Sequence, residues 1–430
     1  MNIKQVSVIL VVCLIIIITS ISEANELPTY MWDRTISSTR QEHGDCTTGD
    51  DLGNVFVAGW TDGIIDTETG TDGYIFLTKF SSDGDVLWNR QFGPSGEISV
   101  NGIAVDKDGN CFLVGQTSGA INETNPAGGN DAYIVKYDPN GIMLWEQLLG
   151  TTMNEDAAAI AVDANSNCFI TGSTSGTLSG TPVRSSRCPY VAKYNTDGEL
   201  IWVDQIRQGG AQLAYAISIH PDGTIYTAGK PGYIAHHDPN GAMVDYKQIT
   251  VSDYWGANFD DQANLYACGW TASITGFMEK YSPLGERLWR RNFRETGWTA
   301  PKYIVMCTDD SNDILTGGCQ QGPDGPNDCQ AFFRRFDPDG NQTMRYDFPG
   351  SGSTCGYRVG VDGLGSCLLT GGKNASDALI IKLGYPDNTS EPNVLEAQIE
   401  NTDVGTAISH NDVECPCSCL QSVSDSSITE

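Results

Sequence analysis

Apolar and polar residues alternate along this chain in short runs, and the runs are separated by glycine-containing turns. Residues 98–106 (ISVNGIAVD), 111–117 (CFLVGQT), 131–137 (DAYIVKY) and 142–149 (IMLWEQLL) show the pattern most cleanly. KDGN separates the first two runs, a long loop follows the second, and DPNG separates the last two. Alternating or β-branched stretches bounded by Asp-Gly and Asn-Gly turns predict short strands joined as hairpins. Four such strands make one antiparallel sheet.

The unit recurs. A tryptophan stands four residues after a turn glycine at Gly84/Trp88, Gly141/Trp145, Gly198/Trp202 and Gly285/Trp289. Two further units keep the glycine and change the aromatic, with Gly241 leading to Asp245 and Gly340 to Met344. A period of roughly 40–57 residues marks one supersecondary unit copied many times, and β-propeller blades have this period. Second strands end at Gly59, Gly115, Gly172, Gly229, Gly269, Gly317 and Gly371, which counts seven units. The seventh has a third strand at 377–384 (DALIIKLG) and no tryptophan strand after it, whereas residues 31–37 (MWDRTIS) carry Trp32 before any first strand. An N-terminal outer strand completing the last sheet would close a ring and remove its open edges. The expected fold is all-β: a seven-bladed β-propeller of four-stranded antiparallel blades over residues 25–384, closed by an N-terminal outer strand.

Closure sorts the loops onto two faces. The short first-to-second and third-to-fourth turns share one face; the second-to-third loops and the blade-to-blade connections share the other. Segments 60–72, 116–130 and 173–188 are long, the segment after Gly229 is almost absent, and 318–329 is rich in Gly and Pro. Variable loops on a rigid scaffold are where binding specificity is built. Trp60 and Trp270 follow the second strand directly in matching GWT segments, and Gln116, Ser173 and Lys230 hold equivalent places. These five are the candidate binding ring, with packing at the loop base as the competing reading.

The third strand presents a basic residue at one place in each unit: Lys79, Lys136, Lys193, His236, Lys280, Arg335 and Lys382. The first strand ends in an acid at Asp50, Asp106, Asp163, Asp260 and Asp362, with Asp309 in unit six and His220 in unit four. Repetition around the ring favours strand-positioning charge pairs, weak if exposed, over a ring of catalytic pairs. The tryptophans are read as wedges between neighbouring blades. The Asp-Gly turns lack the spaced acids and closing glutamate of a calcium loop. No G-x-S-x-G, H-E-x-x-H or P-loop occurs, so no catalytic or metal residues are assigned and no cofactor is expected.

A net charge of −29 argues against nucleic acid, whose phosphates require a positive footprint. Lys4, an apolar run over 6–21 and the small residues Ser22 and Ala24 describe a secretory signal peptide over 1–24, with an uncleaved anchor as the alternative. The mature protein is then expected to be a monomer, secreted, periplasmic or at the cell surface, with no later membrane span. Residues 385–430 are acidic and lack a strand period, and are read as a disordered tail. Of the 14 cysteines, Cys111, Cys168 and Cys367 share one strand position where a small buried hydrophobe would serve. Cys319 and Cys329 are the disulfide candidate, and Cys415, Cys417 and Cys419 cluster in the tail.

DAYIVKYDPNGIMLWEQLLG and GIAVDKDGNCFLVGQTSG resemble the bacterial seven-bladed β-propeller repeat (SBBP), with NHL-like similarity in the second segment. The resemblance covers residues 31–384. It implies exported or surface proteins and supplies no catalytic motif. Two functional readings follow: a non-enzymatic scaffold binding a glycan, peptide or protein through the variable-loop face, or a hydrolase, lyase or quinoprotein-like enzyme with its site at the channel mouth. Fold alone does not choose between them.

Overall fold

The computed structural model describes residues 29–65, 74–93, 98–121, 124–180, 187–207, 212–249, 254–270, 276–293, 303–308, 312–321, 329–348, 354–373 and 377–384. The expected signal peptide, Asp309, the tail and its cysteine cluster lie outside them. Seven four-stranded antiparallel sheets form a closed ring, each sheet contacting the next through its first, innermost strand. Blades 1 to 6 occupy residues 42–92, 98–149, 155–205, 213–248, 254–293 and 303–347. Blade 7 takes three strands from residues 354–384 and its outer strand from Thr29–Ile36. Trp32 stands opposite Lys382 and Ile36 opposite Ala378, so the N-terminal strand completes the ring as the repeat count requires. Among the described residues no helix is long and apolar enough to cross a membrane.

Second and third strands are enclosed by neighbouring blades on both sheet faces. Ile75–Phe80 and Asp131–Tyr137 are buried along their whole length, which is why these runs are apolar almost throughout rather than alternating. Outer strands have one exposed edge and return to alternation. Cys111, Cys168 and Cys367 are buried thiols outside any disulfide, as expected of small hydrophobes, and burial pushes the Cys168 thiol up to about 12. Cys319 stands opposite Ala331 and Cys329 opposite Gln321 on neighbouring strands; their side chains lie outside the described residues.

The turn glycine and the tryptophan four residues later do not serve each other. Each tryptophan packs on the turn glycine of the next blade. The Trp88 ring lies where a Cβ on Gly141 would come within 2.9 Å of it, and Trp32, Trp145, Trp202 and Trp289 lie likewise against Gly84, Gly198, Gly241 and Gly340. The turns pair type I geometry with a bulge, as Asp138 shows by accepting from Gly141 N and donating to Ile142 O, and Gly141 sits at φ +77°. Any side chain there would be strained twice, by its own backbone and by the indole.

One backbone carbonyl secures four of these five contacts, those of Trp32, Trp88, Trp145 and Trp289. Pro139 O accepts from Trp88 Nε1 at 3.0 Å and from Lys79 Nζ at 3.4 Å. Thr196 O does the same for Trp145 and Lys136, and Pro338 O for Trp289 and Lys280. Arginines two residues beyond three of the tryptophans extend the clamp. Arg34 and Arg90 donate to Gly84 O and Gly141 O, and Arg291 donates to Asp339 O. Blade 7 has no third-to-fourth hairpin, because its outer strand comes from the other end of the chain. Blade 6 therefore faces no turn glycine, and its Met344 is buried in an ordinary apolar cluster. The lost tryptophan of unit six follows from ring closure.

In four blades the recurring charges are paired, but inside the protein rather than on its surface. Lys79–Asp50, Lys136–Asp106, Lys280–Asp260 and Lys382–Asp362 lie 3.5, 3.7, 3.3 and 2.7 Å apart, all with nearly inaccessible side chains. The lysine also rests over the second-strand ring, with Nζ 4.8 Å from the centre of Phe56 and 4.9 Å, for Lys193, from that of Phe169. The same aspartates accept the N–H groups of the first hairpin turn, as Asp50 does from Leu52 and Asn54. Burial replaces the weak exposed pair expected from sequence with one whose disruption is costly, about 3–5 kcal/mol when one partner is removed. In blade 6 the place of Asn264 is taken by Asp313, which meets Arg335 at 2.6 Å.

Two substitutions separate the parts of the clamp. Trp88→Ala should lower stability by about 3–5 kcal/mol, and Trp88→Phe, which loses the indole N–H and part of the ring packing on Gly141, by a smaller amount of about 1–3 kcal/mol. Urea denaturation followed by circular dichroism measures both. A Trp88→Phe protein as stable as the parent would remove both the Pro139 bond and the ring-on-glycine packing from this account.

Candidate interaction face

The level at which the second strand meets the variable-loop face is set by its glycine. A Cβ on Gly59, Gly115, Gly172 or Gly229 would sit 1.8 Å from a first-strand carbonyl, that of His43, Ser99, Asp156 or Leu213. First strands bulge just beyond this point in six of the seven blades, blade 6 being the exception. The next residue of the second strand is the candidate binding position. The register thus brings Trp60, Gln116, Ser173 and Lys230 to one level, opposite His43, Ser99, Asp156 and Leu213.

Their exposure differs. Trp60, Gln116 and Lys230 are half-buried, whereas Ser173 is fully buried and presents no surface. Trp270 keeps the strand register opposite Gly276, and its side chain lies outside the described residues. Beside Ser173, Arg187 forms an ion pair with Asp156 and remains about a third exposed, at 32%.

Polar side chains that the repeat pattern did not single out, all buried except Gln248, brace the loops of this face. Gln91 accepts from Ile65 N at 2.5 Å and donates to Gly63 O at 2.9 Å. Gln205 accepts from Leu178 N and donates to Gly176 O, and Gln248 donates to Gly232 O. All three lie three residues after the tryptophan position, a periodicity that was available in the sequence. Glu42 and Glu155, each 2% exposed or less, bind the blade connections: Glu42 accepts from Ser38 N and Thr61 Oγ1, Glu155 from Thr151 N and Thr174 Oγ1. Loops held this way are presented in fixed conformations.

Asp131 is the exception among these braces. Its Oδ2 accepts from Ala127 N at 2.6 Å, but its buried Oδ1 has no partner among the described residues. Burial holds its carboxyl above the usual range, and the Glu155 carboxylate nearby adds to this, against the Ala127 N–H.

Blade 4 departs from the repeat. His220 and His236 take the places of aspartate and lysine, with Tyr226 stacked on His236 at 4.6 Å and 5.5 Å from His220. No described partner meets His220 Nε2 or His236 Nε2. His237 is fully buried and lies 3.2 Å from Asp204 of blade 3. An aromatic stack replaces the ion pair. Burial holds the His236 imidazole below its ordinary range; His237 and His220 add to this, and Asp245 and Asp222 oppose it.

At the channel mouth on the opposite, hairpin face there is an open depression of about 240 Å³ lined by Asp50, Asp106, Lys107 and Asp163. Its aspartates already accept from their own turn N–H groups. Among the described residues no group of three or more His, Cys, Asp or Glu could hold a metal ion.

Residues 87–121 match the family model described as the beta-propeller repeat SBBP. The chain is a seven-bladed β-propeller that carries an SBBP repeat in this segment. It is 26% identical over 222 residues to the regulatory protein FlaEY of Caulobacter vibrioides, a match covering 44% of this chain and 23% of that protein. It is 24% identical over 257 residues to an uncharacterized WD repeat-containing protein, L264, of Acanthamoeba polyphaga mimivirus, covering 46% and 18%. The matches thus span less than a quarter of either relative's own length. The Pan2 WD40 domain of Neurospora crassa superposes with a TM-score of 0.52 at 10% identity, over 84% of this chain and 97% of that one, a likeness of fold.

Two predictions arise here. Asp131→Asn should raise the thermal midpoint at pH 7, because the amide oxygen still accepts from Ala127 and the buried charge is gone. The gain should vanish as pH falls through the raised Asp131 value toward about 3.9, where the native carboxyl is itself protonated. In blade 4 the unfolded state takes up a proton at His236 before the folded state does. Its contribution is therefore intact above about pH 6.5 and is lost as pH falls below it. Thermal scans between about pH 7 and pH 5 should show this loss. The His220→Asp/His236→Lys double variant, which reproduces the Asp260–Tyr266–Lys280 set of blade 5, should show less of it. An unchanged slope would assign the loss to other groups.

Proposed function

We propose that this protein is an exported scaffold that binds a protein or peptide partner through the variable-loop face of blades 1 to 4. One observation carries the reading. The side chains that recur from blade to blade are engaged in holding blades together, whereas the positions that differ lie on the face whose loops are braced by buried Gln and Glu side chains. Trp60, Gln116, Lys230 and Arg187 offer an aromatic surface, an amide and two cations there, a set suited to a polypeptide surface. The regulatory and WD-repeat titles of the relatives agree with a binding role. Export rests on the apolar start of the chain, and cleavage after Ala24 would leave Asn25 as the mature N-terminus.

The enzyme reading finds its nearest support in Asp131 and Glu155. Both Glu155 oxygens and one Asp131 oxygen already accept from loop donors, and both side chains are 1% exposed, so they brace loops rather than face a substrate.

A displayed peptide library selected against the purified protein tests the proposal. Selected peptides should bind the parent and Lys107→Ala on the hairpin face alike, and bind Trp60→Ala about tenfold more weakly, as loss of an aromatic anchor predicts. Peptides weakened by Lys107→Ala instead, or a glycan array positive where the library yields nothing, would overturn it. N-terminal sequencing of protein recovered outside the producing cell checks the export element separately.

A further inference from the structure

Six junctions of the ring lead into a blade whose third-to-fourth turn carries a glycine, and five of them press an indole on it. The junction of blades 4 and 5 is the sixth. Asp245 stands where the tryptophan would be, opposite His236, which stands where the lysine would be. In the contacts described, neither reaches the turn of blade 5. Asp245 accepts from Tyr246 N at 2.8 Å and pairs with Lys247 at 3.1 Å, and His236 stacks on Tyr226. Lys247 holds the place of Arg34, Arg90 and Arg291, but it meets Asp245 of its own strand where they donate forward to a turn carbonyl. What covers Gly285 is aliphatic: a Cβ there would lie 3.1 Å from Lys247 Cβ and 3.2 Å from Ile249 Cγ2. The apolar cluster behind it is built from smaller side chains too. Blade 1 buries Phe56, Trp88 and Phe92, among others, against blade 2, whereas blade 4 buries Ala216, Ala228, Ile234 and Ile249 against blade 5.

The opposite side of blade 4 is held. Trp202 of blade 3 keeps its ring on Gly241, and the fully buried His237 of blade 4 lies 3.2 Å from Asp204 of blade 3. The cluster there joins Phe169, Val191 and Ile206 of blade 3 to Ile217, Tyr233 and Ala235 of blade 4. Blades 6 and 7 also meet without a turn clamp, but Phe333, Met344 and Phe348 fill that junction against Val359, Leu369 and Leu379. Among the described residues, a turn glycine without its indole occurs between blades 4 and 5 alone. We propose that this junction is a seam: blades 4 and 5 part from each other while blade 4 stays with blade 3 and the remaining junctions stay closed. A ring clamped all round offers its central channel only through its two faces. A ring with one seam also opens from the rim, and local opening of this kind proceeds without unfolding the rest.

Thiol labelling of the folded full chain, mapped by mass spectrometry, tests the seam. Cys268 stands immediately before the second-strand glycine of blade 5, fully buried in the cluster shared with blade 6, so it reports on a junction clamped by Trp289. Ala228 holds the same place in blade 4, equally buried, in the cluster shared with blade 5. Ala235 is buried on the opposite face of blade 4, toward blade 3. The labelling is run at about pH 8, above the ordinary histidine range. The thiol of Ala228→Cys should react at least about tenfold faster than Cys268 in the same molecule, and that of Ala235→Cys no faster than Cys268. Adding Asp245→Trp to Ala228→Cys should remove most of the difference. Should circular dichroism show that this variant does not fold, Trp289→Ala is the reciprocal test. It takes the indole from the turn of blade 6 and should speed Cys268 about tenfold. An Ala228→Cys thiol as slow as Cys268 would overturn the proposal. A fast Ala235→Cys thiol would overturn it as well, by showing blade 4 loose on both sides. Rates left unchanged by a folded Asp245→Trp chain, or by Trp289→Ala, would do the same, because the indole would not be what closes a junction.

Discussion

The ring depends on one contact made repeatedly: an outer-strand indole and a third-strand ammonium converging on a single turn carbonyl of the next blade. In blade 1, Phe56, Lys79 and Trp88 stand opposite one another on three adjacent strands, so they form a row across one sheet face. The row meets the neighbouring turn at Pro139 O, and the turn can approach only because Gly141 has no side chain. Hydrophobic burial supplies the larger stabilising term here, and the carbonyl fixes angle and register. A blade cannot rotate against its neighbour without breaking the indole bond, the ammonium bond and the ring-on-glycine packing together.

This constraint explains the irregularities as well as the rule. Unit six has methionine because the turn it would clamp does not exist in blade 7. Unit four has Asp245 in place of tryptophan, and the Gly285 turn of blade 5 instead packs against Lys247 and Ile249. Its neighbour on the other side is altered too, since the buried Trp202 indole N–H has no described acceptor. Histidine at both charge positions of blade 4 removes the ion pair and leaves a stack that depends on neutral rings. Blade 4 is thus the segment where the ring's usual electrostatics are suspended.

The two faces and the rim divide the remaining work. The aspartates buried at the ends of first strands, Asp50, Asp106, Asp260 and Asp362, belong to the hairpin face, where they satisfy turn N–H groups and lysines at once, and this leaves them little capacity for ligands. Buried Gln and Glu belong to the variable-loop face, where they hold loops that differ in length and sequence. Arginine pairs belong to the rim of blades 5 and 6, where Glu279 and Asp347 are each shared by two guanidinium groups.

Blade number, strand order, ring closure and the sorting of loops onto faces were legible in the sequence, because β-strand periodicity and turn glycines are local signals and Trp32 had no other sheet to complete. The level shared by Trp60, Gln116, Ser173 and Lys230 was legible for the same reason. Three things were not. The tryptophan's glycine lies about 50 residues ahead of it in the next unit rather than four behind, a pairing that a repeat of this period hides. Burial of Ser173 and of the Asp–Lys pairs depends on how closely neighbouring blades approach, which no single unit encodes. The sharing of Glu279 and Asp347 between arginines arises from cross-strand neighbours and exists only once the sheets have formed. Sequence determined the repeating unit and how many copies close the circle; tertiary structure decided which polar groups face each other across blades, because those contacts are made between copies rather than within one.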